Sequence, residues 1–464
     1  DFLLESLSPK EIEQFDKYIK SKLDKSGGRI LKFWQSTLNT LQNKSSNPRN
    51  DASDNFSRKT VSDFVKILES FIATKGYEMD LLSRKIYLAK ELRNRNVDKY
   101  FTSLIDDVCS NNSVKYLKGY SYMSNLQRLY VEEYLRCNSR NEEDGMHDIS
   151  VKILENAEVI LINSKLFEFI NRKLYTPDVN LPKDEILSVE DAVRIVEKNE
   201  SSYSVNYPNV YLDYLFYKML KKTDDRERVS DALKYLREKE KELAFDFVQF
   251  AYETLIRFLS VRINYGCSVS QAALYELFQE VEGRGLLHKV QNVQPMIFIS
   301  AVTTALSNSD ITFANKLIAL YKGKINLSFR DEVIAVSRAM TDFAAGKYEN
   351  VKKLTEDFKT KNVSLYLFSK DTLLKALYEL KEDRNIMPLI DTTKHFLNRK
   401  LAGENVQKES VFKFLNYIHS LCSVRKKNSR GAEMLLDKIK DEKTFFQKKW
   451  VVEKAEELVR TGDR

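Results

Sequence analysis

Thirteen glycines and seven prolines are all the strong backbone punctuation in a chain of 464 residues. An average soluble chain of this length would hold about 55 of the two together. Sandwiches, barrels and many-stranded α/β enzymes need such residues at their turns. So severe a shortage excludes those classes and predicts an all-α chain of helices joined by short polar connections. Hydrophobic residues make up 43%, enough for a packed core and too many for a disordered chain. The length predicts two to four domains or one long array. A net charge of +8, spread along the chain without a basic tail, permits an acidic partner or a nucleic-acid backbone but requires neither.

The first helix signal is Leu7-Ser8-Pro9-Lys10-Glu11. It places Ser at the N-cap, Pro at the first helical position and Glu three residues after the cap, which is a capping box. Ile12, Phe15, Ile19 and Leu23 then recur at helical spacing, and a second helix holds Ile30, Phe33, Trp34, Leu38 and Leu41. The polar stretch 43–58, with Pro48, reads as a loop. Helices are expected around 60–72, 79–91 and 97–108, then over 113–135 and 149–173, the last two separated by the polar segment 138–148. Pro177 and Pro182 mark an extended connection, and Pro208 opens a helix carrying Tyr211, Tyr214 and Tyr217. The charged stretch 221–241 reads as a turn followed by an exposed helix. These signals predict an N-terminal helical domain over 1–108, a middle helical region over 109–242 and helical repeats over 243–464.

The repeat is clearest at Phe343-Ala344-Ala345-Gly346-Lys347-Tyr348-Glu349-Asn350-Val351, followed by Leu354 and Phe358. Gly346 suits a helix C-cap, Tyr348 can wedge between two helices, and Val351 sits where they cross. Ala314 and Ile386 occupy the Val351 position in neighbouring copies, and Ala432 marks a further one. The spacing is close to the roughly 34 residues of a tetratricopeptide repeat. Three stretches, Leu7–Ile19, Phe64–Ile72 with the Leu82–Leu92 helix, and Pro295–Leu458 with its closing Trp450-Val451-Val452-Glu453-Lys454, together resemble an uncharacterised Bacteroidota family of helical-repeat proteins. That resemblance implies an α-solenoid of stacked helical hairpins with tetratricopeptide-like repeats. It brings with it no catalytic or binding residues.

Most enzymatic signatures are absent. There is no GxxxxGK[ST] loop, and Gly283-Arg284-Gly285 lacks the third glycine of a dinucleotide fingerprint, so it reads as a turn between helices. The histidines His147, His288, His395 and His419 have no paired-ligand spacing, and His395 beside Phe396 reads as a hydrogen-bonded structural residue. Cys109, Cys137, Cys267 and Cys422 are isolated and read as free thiols of a reducing compartment. The longest uncharged window, 290–309, is half polar and interrupted by Pro295, so no membrane span is predicted. No catalytic, cofactor-binding or metal-ligating residue is singled out, and no cofactor is expected.

Binding rests on other features. Tyr116/Tyr120 and Tyr130/Tyr134 repeat at i,i+4, which suits helix–helix packing better than an exposed peptide-binding stripe. Arg425-Lys426-Lys427 with Arg430 is the densest basic loop, and a cluster of this size reads first as a solvated connection. Function is therefore expected to be that of a non-enzymatic, cytoplasmic scaffold or adaptor, binding a protein or peptide along a helical-repeat groove. A nucleic-acid-associated regulator with a basic surface is the alternative. The chain opens at Asp1 rather than Met, which leaves room for a processed leader.

Overall fold

The structure, a computed structural model, describes residues 2–5, 7–23, 28–42, 56–109, 117–174, 188–222, 226–264, 268–286, 293–400, 406–425, 429–442 and 445–462. Among these residues the chain is all-α. An isolated parallel bridge joins Val293 and Ile325. Packing divides the chain into two units, Asp1–Leu161 and Ile162–Arg464. Of the features expected from sequence, Pro48, Tyr116, Pro177, Pro182, Cys267, His288, Lys426 and Lys427 lie outside the described residues.

The first unit contains α1 (Phe2–Glu5), α2 (Pro9–Lys22), α3 (Gly28–Gln42), α4 (Arg58–Met79), α5 (Leu81–Asn94), α6 (Asp98–Cys109), α7 (Tyr120–Ser139) and the first half of α8 (Glu143–Leu174). The capping box forms as expected: the Glu11 amide donates to Ser8 Oγ at 3.3 Å and the Ser8 amide to Glu11 Oε2 at 2.8 Å. Phe15, Ile19 and Trp34 are fully buried and join Phe64, Leu68 and Phe71 in one cluster. A second cluster unites Leu82, Ile86 and Ala89 of α5 with Phe101, Leu104 and Ile105 of α6 and Leu129 of α7.

The second unit continues α8 and adds α9 (Val189–Lys198), α10 (Glu200–Asn206), α11 (Pro208–Lys221), α12 (Arg226–Lys239), α13 (Phe245–Asn264), α14 (Ser268–Gly283), α15 (Pro295–Ser307), α16 (Ile311–Tyr321), α17 (Leu327–Ala344), α18 (Tyr348–Thr355), α19 (Val363–Glu379), α20 (Asp383–Lys400), α21 (Val406–Val424), α22 (Ser429–Asp441) and α23 (Lys448–Gly462). Each of α15, α17 and α19 packs on the next odd-numbered helix and on its own hairpin partner, α16, α18 or α20. Ala314, Val351, Ile386 and Ala432 are each the fourth residue of their helix, α16, α18, α20 and α22, and all four are buried. The equivalence expected from the sequence at these positions is therefore an equivalence of register. Tyr348 packs beside Phe343 and against the Ala339–Val351–Ala376 cluster, the wedge expected of it.

One turn recurs in both units. Asn96, Asn141, Ser309, Gly346 and Lys381 have positive φ, and each donates its amide three residues back while the next residue's amide reaches five back. This double bond pattern is the Schellman motif, which satisfies the last carbonyls of a helix. Five residues beyond each lies Phe101, Met146, Ala314, Val351 or Ile386, and all but the half-buried Met146 are buried. Gly285 closes α14 in the same way, so Gly283-Arg284-Gly285 is the turn expected. Only two of these positions are glycine, which is how so glycine-poor a chain still turns.

The αL position has a measurable cost. At Gly346, φ is +73° and an added Cβ would meet nothing within 4 Å. Gly346→Val is therefore expected to lower stability by about 1–2 kcal/mol through the backbone alone. Thermal unfolding of the variant checks this, and an unchanged midpoint would show that the turn tolerates a β-branched residue.

Two expected boundaries shift. The polar segment 138–148 does not separate two helices by a long connection. The Asn141 turn reverses the chain within a few residues, and α8 is already helical from Glu143, its charged first turn being exposed. The 221–241 stretch includes α12, which buries Ala232 and Leu236 completely and is exposed on its other face only.

Candidate functional site

In the first unit, α5 has apolar residues on two faces. Leu82, Ile86 and Ala89 enter the core. Tyr87 and Leu88 are exposed, at 51% and 46%, and the end of α4 adds Tyr77 at 44% and Met79 at 85%. An open groove of about 490 Å³ runs here, lined by Tyr77, Leu81, Arg84, Lys85, Tyr87 and Leu88. The Tyr77 and Tyr87 rings meet edge to face at 5.8 Å, an arrangement that aromatic quadrupoles favour. From the neighbouring α7, the Arg128 guanidinium lies 5.7 Å from the centre of the Tyr87 ring. Val131 and Leu135, three and seven residues beyond Arg128 on α7, are also exposed.

Charges around this groove fall into two sets. Glu91 pairs with Arg95 at 3.1 Å, Glu78 with Lys75 at 3.0 Å, and Lys85 with Asp107 at 3.2 Å. Asp80 caps α5, accepting from the Ser83 amide at 3.0 Å. Arg93 meets Glu132 at 2.8 Å, Arg136 meets Glu142 at 3.0 Å, and Arg140 pairs with Asp98. Arg84 instead donates only to the Glu78 carbonyl at 3.3 Å, and Arg128 to Asn125 Oδ1 at 3.4 Å. Among the described residues neither meets a carboxylate.

The residues singled out from sequence lie elsewhere. Tyr130 and Tyr134 are half-buried in α7, in keeping with packing. Tyr211, Tyr214 and Tyr235 form a ring cluster whose hydroxyls donate to Glu200 Oε1, Glu197 Oε1 and the Ser204 carbonyl at 2.6, 3.3 and 2.7 Å. Burial raises the pKa of all three phenols. Arg425 is no solvated connection. Its guanidinium donates to the Tyr378 carbonyl at 2.8 Å, pairs with Asp383 and covers the Tyr378 ring at 4.3 Å, locking the α19–α20 turn. His395 is exposed rather than internal, because α20 buries Thr393 and Leu397 instead. Burial, with Glu133 nearby, pushes the Cys109 thiol up to about 11, which disfavours the reactive thiolate. Among the described residues no three His, Cys, Asp or Glu side chains gather as a metal-binding set, and no helix is long and apolar enough to cross a membrane.

Two buried polar groups in the second unit were not legible in the pattern. Asn209 Nδ2 donates to Asn163 Oδ1 at 2.7 Å, and Asn163 Nδ2 to Asp213 Oδ2 at 3.2 Å, tying α8 to α11. On α19, Lys370 Nζ donates to the carbonyl of Thr355 at 3.0 Å, closing the C-terminus of α18 with a cation. Burial pulls the pKa of that ammonium down. Asp371 meets Lys375 Nζ at 3.0 Å and accepts from Gln447 Nε2 at 2.9 Å. These side chains bond one another or helix ends and so read as structural, although the buried Asn209 Oδ1 and Asp371 Oδ1 accept no hydrogen bond among the described residues.

The exposed tyrosines of α4 and α5 do not recur at i,i+4 as Tyr130 and Tyr134 do, so helical spacing does not mark them as a pair. The available signal was different: Tyr87 and Leu88 lie on the side of the helix opposite Leu82, Ile86 and Ala89. A helix with a second apolar stripe has something to offer besides its core face.

A comparison of the chain with known protein families, with curated proteins and with solved structures returned no match.

Proposed function

We propose that the protein is a non-enzymatic interaction scaffold, an α-solenoid of tetratricopeptide-like hairpins that binds a protein or peptide along a helical-repeat groove. The observation that carries the binding part of this reading is the exposed aromatic and aliphatic surface of Tyr77, Tyr87, Leu88, Val131 and Leu135 in the first unit, whose helices share at Asn96 and Asn141 the positive-φ turn of the later repeats. Rigid aromatic side chains give large contact area with few rotors to immobilise, which makes them effective anchors in interfaces. They stand on regular helices, so their spacing is set before a partner arrives. Membership of the Bacteroidota repeat family fits the same reading and is proposed with it.

Affinity purification from native cells, with nuclease treatment in parallel, tests the function. A protein partner is expected to survive nuclease and to be lost, by at least about tenfold, with Tyr87→Ala/Leu88→Ser. Both side chains are exposed, so the double variant is expected to keep the wild-type circular dichroism. Recovery of nucleic acid alone would favour the basic-surface alternative, and recovery unchanged by the double variant would remove this groove from the interface.

A further inference from the structure

The groove carries information about its partner's charge. Every carboxylate described around it is already engaged: Glu78 by Lys75, Glu91 by Arg95, Asp107 by Lys85, and Asp80 by the α5 cap. Arg84 lines the groove and Arg128 lies over Tyr87, and among the described residues neither has a carboxylate partner. Both are exposed. Four other arginines of the same unit, Arg93, Arg95, Arg136 and Arg140, each pair with an acidic side chain. Of the described arginines of this unit without such a partner, Arg84 lines the groove beside Tyr77 and Tyr87 and Arg128 lies over the Tyr87 ring.

We infer that the groove takes an acidic peptide segment of a partner protein, one that presents carboxylates next to a large apolar side chain. This rests on the scaffold reading above and adds the chemistry of the occupant. An apolar side chain would enter between Tyr77, Leu81 and Leu88, and flanking carboxylates would reach the guanidinium forks of Arg84 and Arg128. A guanidinium binds a carboxylate through two parallel N–H···O bonds, which a point-charge ammonium does not provide. Its attraction to the π face of Tyr87 holds Arg128 close to where such a carboxylate would arrive. Complementary charge at a groove rim raises the association rate and excludes basic partners, while the apolar anchor supplies the slow dissociation.

The experiment is selection from a random dodecapeptide display library on the immobilised full-length chain, run in parallel on Arg84→Glu/Arg128→Glu and on Tyr87→Ala. All substituted side chains are exposed, and circular dichroism of each variant verifies the fold. Wild-type protein is expected to enrich peptides rich in Asp and Glu that carry an aromatic or large aliphatic residue. Their affinity should fall about tenfold or more on charge reversal and weaken with added salt. Arg84→Gln/Arg128→Gln should give a smaller loss of the same kind. Enrichment of neutral or basic peptides, or acidic peptides bound equally by the charge-reversed protein, overturns the acidic partner. In that case a dependence on Tyr87 would leave the scaffold reading standing. Selection indifferent to Tyr87→Ala, or no enrichment over bare support, overturns both.

Discussion

Asp371→Ala is expected to destabilise the second unit by about 3–5 kcal/mol, the range for removing one member of a buried ion pair. Asp371 is buried on α19, with Lys375 Nζ at 3.0 Å and Gln447 Nε2 at 2.9 Å. Burial pushes its carboxyl pKa up, with Lys375 and Gln447 pulling against that. The truncation would leave the Lys375 ammonium among apolar neighbours and release Gln447, whose positive-φ turn leads into α23. Hydrogen exchange of the α19 amides should accelerate by roughly two orders of magnitude or more. Asp371→Leu combined with Lys375→Met should recover most of the loss, since well-packed apolar groups replace a buried pair at little cost. A single-variant loss below about 1 kcal/mol would mean that the pair does not hold this region.

Phe15→Ala should cost the first unit about 3–5 kcal/mol, the range for deleting a buried aromatic ring. Phe15 is fully buried, with ring centres of Trp34, Phe71 and Phe64 at 5.0, 5.2 and 5.8 Å. Its loss opens a cavity where α2, α3 and α4 meet, beside the Trp34 indole that donates to Asp16 Oδ1 at 3.0 Å. Trp34 and Trp450 are the two tryptophans. In a Trp450→Phe background, emission therefore reports Trp34 alone. Its denaturation midpoint should drop sharply and the emission should move to the red as the cluster loosens. An unshifted midpoint would mean that the neighbouring rings collapse into the space.

Several elements could be read directly because their signals are local. The Ser8–Glu11 capping box and Pro9 start lie within one turn of chain, and the structure forms them as written. The Phe15–Ile19 face and Trp34 follow helical period and end buried. Ala314, Val351 and Ile386 mark one register position, since a small or branched residue at a crossing must recur with each hairpin. The turns themselves were legible only at Gly346 and at Gly283-Arg284-Gly285. Ser309 and Lys381 adopt the same geometry with side chains that carry no strong αL signal, and Asn96 and Asn141 with one that tolerates αL, because hydrogen bonds to the preceding helix offset the αL cost.

The candidate site was less visible. Tyr87 and Arg128 are 41 positions apart in sequence, by subtraction of their numbers, and only the packing of α5 beside α7 brings the guanidinium over the ring. In sequence Arg425 reads as part of a basic loop, whereas in the structure it bonds the Tyr378 carbonyl and pairs with Asp383. A charge count cannot distinguish an arginine that locks a turn from one that awaits a partner.

By itself, then, the sequence determined the helical class, the starts of its best-capped helices and the repeat register, because shortage of breakers, capping and apolar period act over a few neighbouring residues. Tertiary structure alone decided which apolar residues stayed outside, which charges found partners and which buried polar groups were satisfied. Those outcomes depend on side chains brought together from distant positions, and no local pattern encodes the distance between them.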